Sequence, residues 1–197
     1  DAVRDPAALA GSGTLAADAV AKAAPDGYTI GIVNAGALAI NQNMEKVPYD
    51  TLKDLAPITL VVTVPEMLVV ASNVPAKNMG ELVALAKAQP GKLNFASTGP
   101  GSLPHLAGEL LKLTAGIDVV HVPYASGGQV VQSLLTGTTQ LGSTALPAGE
   151  PLVRAGTLAG LVVSGNTRWP TLPAVPTLVE LGYPDFVAEI FTALFAP

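Results

Sequence analysis

The 197-residue sequence contains no cysteine, which excludes disulfide bonds, thiolate metal sites and a cysteine nucleophile. Charged residues make up only 13% of the chain and aromatic residues only 5%, and no basic cluster occurs. Because the formal net charge is −5, nucleic acid and anionic membrane surfaces are poor partners. The longest uncharged stretch, Val119–Gly149, is interrupted by proline, glycine and polar residues, so it does not qualify as a membrane span.

The motifs of common active sites are also missing. No G-x-S-x-G nucleophile elbow is present. The Gly/Ser/Thr/Pro segment Ser97–Ser102 lacks the Lys-Ser/Thr ending of a phosphate-binding Walker loop. His105 and His121 are the only histidines and neither has a ligand-spaced partner, so we predict no metal site and no cofactor. We expect His105 to form an exposed ion pair with Glu109, and His121 to be structural.

Small and aliphatic residues dominate what remains. Hydrophobic residues make up 49% of the chain and the mean hydropathy is +0.46, which is typical of an α/β protein with buried strands. Strand-like runs alternate with helical patterns about every 20–25 residues, which predicts βαβ units and mostly parallel sheets. Strands are predicted at Tyr28–Val33 (buried), Ile58–Val64, Met67–Ala71, Leu93–Ala96, Ile117–Val122, Gln140–Leu146, Leu158–Ser164 and Val187–Phe195. Helices are predicted at Ala16–Ala24, from the N-cap Asn78 to Ala88, after Ser102, at Gln129–Leu135 with Ser126 as the cap, at Glu150–Ala155 and at Thr177–Leu181.

The segment Ser97–Ser102 joins a predicted strand to an amphipathic helix. One apolar face of that helix is predicted to contain Leu103, Leu106, Ala107, Leu110 and Leu111. The start of a helix attracts anions, and the two glycines of the segment let the backbone approach a ligand. A dinucleotide is disfavoured because Pro104 occupies the position of a third glycine. The segment therefore favours a small anion such as a carboxylate; the alternative is that Ser102 only caps the helix.

Five stretches of the sequence together resemble the Bug receptors, the extracytoplasmic solute-binding proteins of tripartite tricarboxylate transporters. They are ADAVAKAAPDGYT (Ala17–Thr29), VPYDTLKDLAPITLV (Val47–Val61), LNFASTGPGSLPHLAGELLK (Leu93–Lys112), VHVPY (Val120–Tyr124) and LPAVPTLVELGYP (Leu172–Pro184). The resemblance implies a type II periplasmic-binding fold: two α/β lobes, joined by two crossing strands, with a ligand cleft between them. Lobe one is expected to contain residues 1–64, lobe two residues 65–187, and residues 188–197 are expected to form a return strand to lobe one.

The same resemblance implies a periplasmic, monomeric binding protein rather than an enzyme, one that delivers a small carboxylate to the permease subunits in the membrane. The implied ligand-binding residues are Asn34, Ala35, Gly36, Ser97, Thr98, Gly99, Gly101, Ser102 and Thr144. Relatives often carry an aspartate within the segment Gly142–Leu146. Thr144 in this segment therefore favours a plain or aromatic carboxylate over an amino acid. Pro100 and Pro104 replace commoner polar residues and reduce the number of donors.

Two other functions are compatible with the residues. The first is a ligand sensor that presents its closed form to a signalling partner. The second is an α/β hydrolase that uses Ser97 or Ser102 with His105. The family pattern also predicts a first strand before Asp1 and further helices after Pro197, so we expect the 197 residues alone to bind carboxylate weakly and to be poorly soluble or partly unfolded.

Overall fold

The computed structural model describes residues 13–44, 46–183 and 188–197, and within them the chain forms two compact units. The first unit contains the described residues up to Thr63, together with Gly101–Leu103 and Ile190–Pro197. The second unit contains the described residues of Val64–Pro100 and Pro104–Glu189. Each unit has its own hydrophobic core.

The helices are α1 (Thr14–Ala21), α2 (Asn41–Met44), α3 (Met79–Ala88), α4 (Leu103–Ala115), α5 (Gly127–Leu135) and α6 (Leu146–Arg154). The strands are β1 (Gly31–Asn34), β2 (Ala56–Ala71), β3 (Asn94–Ser97), β4 (Val120–Pro123), β5 (Leu141–Ala145), β6 (Leu158–Val163) and β7 (Glu189–Ala196). A π-helical segment, Gly36–Ile40, leads directly into α2. No helix of the described part of the chain is both long enough and apolar enough to cross a lipid bilayer.

The first unit packs α1 against a small sheet in which β7 lies between β1 and β2. β1 and β7 are antiparallel. The core contains Ala17, Val20, Val33, Ala37, Leu38, Tyr49, Leu55, Ala193 and Phe195. The hydroxyl of Tyr49 donates a hydrogen bond of 2.8 Å to the Ala37 carbonyl, so this buried phenol is satisfied.

The prediction of a buried strand over Tyr28–Val33 is wrong in extent and burial. β1 covers Gly31–Asn34, and of its side chains only Val33 is buried. Tyr28 is 93% exposed and Ile32 is 65% exposed. The run of apolar residues is typical of a strand that is covered on both faces. In β1, however, only alternate residues point toward the core that contains α1.

The second unit is built on a sheet with the order β6-β2-β5-β3-β4. β3 runs parallel to both β4 and β5, but β2 is antiparallel to β5 and β6. The prediction of mostly parallel sheets is therefore wrong. Helical crossovers do keep successive strands parallel, as α6 does for β5 and β6, but β2 inserts between those two strands in the opposite direction.

Both faces of this sheet are covered. One cluster, on the side of α3 and α4, includes Val70, Leu82, Phe95, Leu111 and Leu141. The other cluster, on the side of α5 and α6, includes Met67, Val69, Ala96, Val130 and Leu146. In β2 and β3 successive residues alternate between the two clusters, as the two-residue period of a strand requires.

Two helix caps are confirmed. The side chain of Asn78 accepts a hydrogen bond from the Glu81 backbone N–H at 2.9 Å, and the Glu81 carboxylate in turn accepts from the Lys77 N–H. Ser126 accepts in the same way from the Gln129 N–H at the start of α5. Each cap satisfies a donor that the first helical turn leaves unpaired.

β2 is a single strand through Pro65 and Glu66, whereas the sequence predicts two strands separated there. The proline is tolerated because the pairing with β5 begins one residue later, at Glu66, so that ladder loses no N–H.

The helix predicted at Thr177–Leu181 is a series of turns, and Thr177 instead forms an isolated bridge with Val163. Thr177 and Glu180 do exchange the two hydrogen bonds of a helix start, but the chain turns away at Gly182, where φ is 92°. The prediction for α6 is also inexact, since this helix begins at Leu146 and not at Glu150.

The apolar face predicted for α4 is only partly correct. Leu111 is buried but Leu110 is 41% exposed, and the residues of α4 that pack most closely are Pro104, Gly108 and Leu111. A Cβ atom on Gly108 would lie 2.1 Å from Cε1 of Phe95, a side chain that is itself fully buried. The missing side chain at Gly108 therefore sets how closely α4 approaches β3.

We predict that Gly108→Ala lowers the free energy of unfolding by about 1–3 kcal/mol, because the added methyl group overpacks the core against Phe95. The matched control is Gly128→Ala in α5, where the nearest atom to the new methyl is Ser126 Oγ at 3.9 Å. That variant should be neutral or more stable by up to about 1 kcal/mol. Urea unfolding measures both; an equal change in the two variants would contradict the close packing of α4.

Candidate functional site

The segment Ser97–Ser102, which we call the bend, begins with the last residue of β3 and ends immediately before α4. Ser97 has no exposed surface, and its Oγ lies 2.6 Å from Nε2 of His121 on β4. The same oxygen accepts a hydrogen bond from the Gly99 N–H at 3.2 Å. The Ser97 carbonyl accepts from the Tyr124 N–H at 2.9 Å, so the start of the bend is tied to the end of β4.

The rest of the bend depends on its glycines. Gly99 and Gly101 have φ angles of 102° and 75°, in the left-handed region that favours glycine. This backbone turns the chain directly into α4, so that the bend lies at the positive end of the helix dipole. Ser102, immediately before the helix, is 8% exposed. Such a junction can bind an anion through backbone N–H groups and a hydroxyl.

Two histidines lie close to each other near the bend. The ring centroids of His105 on α4 and His121 on β4 are 4.4 Å apart. Burial is the main cause that lowers the pKa of His121, and the neighbouring His105 lowers it further. The neutral ring is therefore favoured near pH 7. Glu109 forms an ion pair of 2.9 Å with Lys112.

The alternative of a hydrolase pairs Ser97 or Ser102 with His105, and for Ser97 the geometry provides a different ring. The ring that contacts Ser97 Oγ is that of His121. The Ser97 oxygen is buried and already accepts a hydrogen bond from the Gly99 N–H. It therefore stabilises the backbone of the bend rather than facing a substrate. Among the residues that the structure describes, no group of three or more His, Asp or Glu could hold a metal ion.

Thr144 is the last residue but one of β5. Because β3 and β5 are parallel neighbours with Ala96 opposite Gly142, Thr144 lies at the same edge of the sheet as Thr98 and Gly99. Thr144 is 2% exposed, and its Oγ1 has no hydrogen-bond partner among the described residues. A buried hydroxyl without a partner costs stability, which makes Thr144 a candidate for contact with a ligand.

The predicted residues Asn34, Ala35 and Gly36 belong to the first unit, at the junction of β1 and the π-helical segment. The Asn34 side chain accepts a hydrogen bond of 3.2 Å from the Ala37 N–H and so caps that segment. Ala35 and Gly36 are buried. This junction repeats the strand-to-helix arrangement of the bend.

Sequence reasoning missed two features of the second unit. One is the contact between Ser97 and His121, which depends on the parallel register that puts Phe95 opposite His121. The other is Glu66, a buried carboxyl group on β2 that accepts a hydrogen bond of 2.6 Å from Ser143 Oγ. The sequence does contain a signal for the buried carboxyl group, because Glu66 is the single acidic residue in a long apolar strand.

Comparison with protein families gives one match that spans almost the whole chain. The model described as "Tripartite tricarboxylate transporter family receptor" matches residues 3–197. The chain belongs to this family. The resemblance to the Bug receptors is thereby confirmed, since the family's curated relatives include protein BugT of Bordetella pertussis, 38% identical over 94% of this chain and 57% of that protein.

Solved structures of similar receptors confirm the periplasmic-binding fold. A Rhodopseudomonas palustris protein solved with adipate is 32% identical, with a TM-score of 0.86 over 94% of this chain and 62% of that one. MatC of the same species, solved with bound malate, is 31% identical, with a TM-score of 0.84 over 95% of this chain and 64% of that one. This receptor chain therefore spans about six-tenths of the length of these relatives. The family is one of solute-binding receptors and not of enzymes.

We predict that Thr144→Val leaves the free energy of unfolding unchanged or raises it by up to about 1 kcal/mol, because valine has the same shape and removes a buried hydroxyl without a partner. The matched control is Thr139→Val. Thr139 is equally buried, but its Oγ1 lies 2.7 Å from Ser133 Oγ. The control should lose about 1 kcal/mol in urea unfolding. A larger loss at Thr144 than at Thr139 would contradict the assignment.

Proposed function

We propose that this chain is the solute-binding part of an extracytoplasmic receptor that captures a small carboxylate and delivers it to the membrane permease of a tripartite tricarboxylate transporter. The observation that carries the proposal is the bend, a glycine-bearing strand-to-helix junction in a member of this receptor family. Relatives of the same fold were solved with adipate and with malate, which supports a carboxylate as the ligand class.

The bend would bind the carboxylate through backbone N–H groups and the Ser102 hydroxyl. The chain carries a net charge of −5, so the global field disfavours an anion. Attraction must come from local dipoles, which the N-terminus of α4 supplies. The left-handed glycines Gly99 and Gly101 add no side chain between that backbone and a ligand.

The other predicted residues are given related roles. The junction Asn34–Gly36 offers a second strand-to-helix start, and we assign it the same role in the first unit. The Thr144 hydroxyl, which lies at the edge of the sheet that contains the bend, would donate a hydrogen bond to a ligand oxygen. Because threonine carries no negative charge, it offers no ion pair to an amino group. We therefore propose a plain dicarboxylate rather than an amino acid.

We predict that Ser102→Ala weakens adipate binding by ~1.5–3 kcal/mol, the cost of one hydrogen bond to a charged group. Calorimetric titration of the chain, carried to millimolar ligand, measures the affinity for adipate and malate. The uncharged dimethyl ester of adipate should not bind, since it removes the charge that the bend attracts.

The control variant is Asn78→Ala, which removes the cap of α3 at the opposite edge of the sheet. It should lower stability by about 1 kcal/mol and leave the affinity for adipate unchanged. If Ser102→Ala also changes only stability, then Ser102 is merely a cap. If neither dicarboxylate binds the wild-type chain, the proposed function of this chain is wrong.

A further inference from the structure

A cavity of about 40 Å³ lies within the second unit, between the sheet and α4. Its walls are mainly apolar and include Phe95, Leu111 and Leu178. It contains none of the residues of the bend, and it lies on the opposite face of β5 from Thr144. A volume of this size exceeds that needed for one water molecule and suits a very small ligand.

Five polar side chains line the same cavity: Glu66, Thr114, Ser143, Ser164 and Tyr183. Hydrogen bonds connect Glu66 to both Ser143 and Ser164. The Glu66 carboxyl group is 2% exposed, and its Oε2 accepts a hydrogen bond from Ser143 Oγ at 2.6 Å. Its Oε1 has no partner among the described residues. The backbone N–H of Glu66 donates to Ser164 Oγ at 2.8 Å, and Ser164 Oγ donates to the Ala188 carbonyl, which holds this group in place.

The charge of Glu66 is uncompensated. Among the described residues that line the cavity there is no lysine, arginine or histidine, and Tyr183 is the other titratable residue. Burial raises the pKa of Glu66 to about 7, so near neutral pH this carboxyl group is close to half ionised. A buried carboxylate is stabilised most by a cation that also donates hydrogen bonds.

We propose that this cavity is a second binding site, separate from the bend, for a small primary ammonium ion that carries a short alkyl group. The three N–H donors of the ammonium group match three acceptors at the polar end: Glu66 Oε1 and the hydroxyl oxygens of Ser143 and Ser164. The alkyl group packs against Phe95, Leu111 and Leu178. A neutral alcohol of the same shape satisfies Oε1 but leaves the charge of the carboxylate uncompensated, so the cavity selects the ammonium ion.

The test is a titration of the chain with n-propylammonium at about pH 8, with n-propanol as the matched neutral probe. We expect saturable binding of the ammonium ion at least about tenfold tighter than that of the alcohol. Below pH 7 a proton competes for Glu66, so the affinity for the ammonium ion should fall about tenfold for each pH unit. The affinity for adipate is a separate readout, so this site and the proposed carboxylate site can fail independently.

Two variants make the test specific. Glu66→Gln keeps the shape and removes the charge, and it should weaken n-propylammonium binding at least about tenfold. Ser143→Ala keeps the carboxyl group but removes the hydrogen bond that stabilises its ionised form, so the pH midpoint of binding should move upward. The proposal is overturned if n-propylammonium does not bind saturably, if Glu66→Gln binds it equally well, or if the affinity does not depend on pH.

Discussion

The contact between the Ser97 hydroxyl and the His121 ring is the interaction on which the shape of the bend depends. It joins the end of β3 to the parallel strand β4, and the same oxygen accepts a hydrogen bond from the Gly99 N–H. Because β3 is paired with β4 on one side and β5 on the other, the end of β3 brings the bend and Thr144 to the same edge of the sheet. In an open α/β sheet the carboxyl ends of the parallel strands are where ligands bind. The buried serine therefore supports the bend, which we propose as the carboxylate site.

A negatively charged chain that binds an anion must do so with short-range forces. The charge of −5 opposes a carboxylate at long range, but a helix start and oriented N–H groups act within a few ångströms. Such a site needs backbone that can approach the ligand closely, and the glycines with positive φ at positions 99 and 101 provide it. We propose that selectivity then depends on side chains at the same edge, where Thr144 has a buried hydroxyl without a partner among the described residues.

Local signals in the sequence predict part of this structure. Asn78 and Ser126 were recognisable as caps because each stands before an apolar helical pattern and acts within its own turn. The direction of β2 was not predictable, since the sequence pattern of a strand is the same for parallel and antiparallel neighbours. The segment that begins at Thr177 shows a second reason why local signals fail. The hydrogen bonds of a helix start are present there, but Thr177 pairs with Val163 and the segment forms turns rather than a helix. The bend itself was predictable from its glycines, whereas its anchor on His121 was not, because that contact depends on register.

The most direct test of the account is an amide-resolved NMR titration of the chain with adipate, because it reports binding at each backbone N–H even when affinity is low. The account predicts that the largest saturating shifts fall on Gly99, Gly101 and Ser102, and that they diminish in Ser102→Ala. Saturating shifts that leave these three amides unmoved would place the carboxylate elsewhere and contradict the central claim.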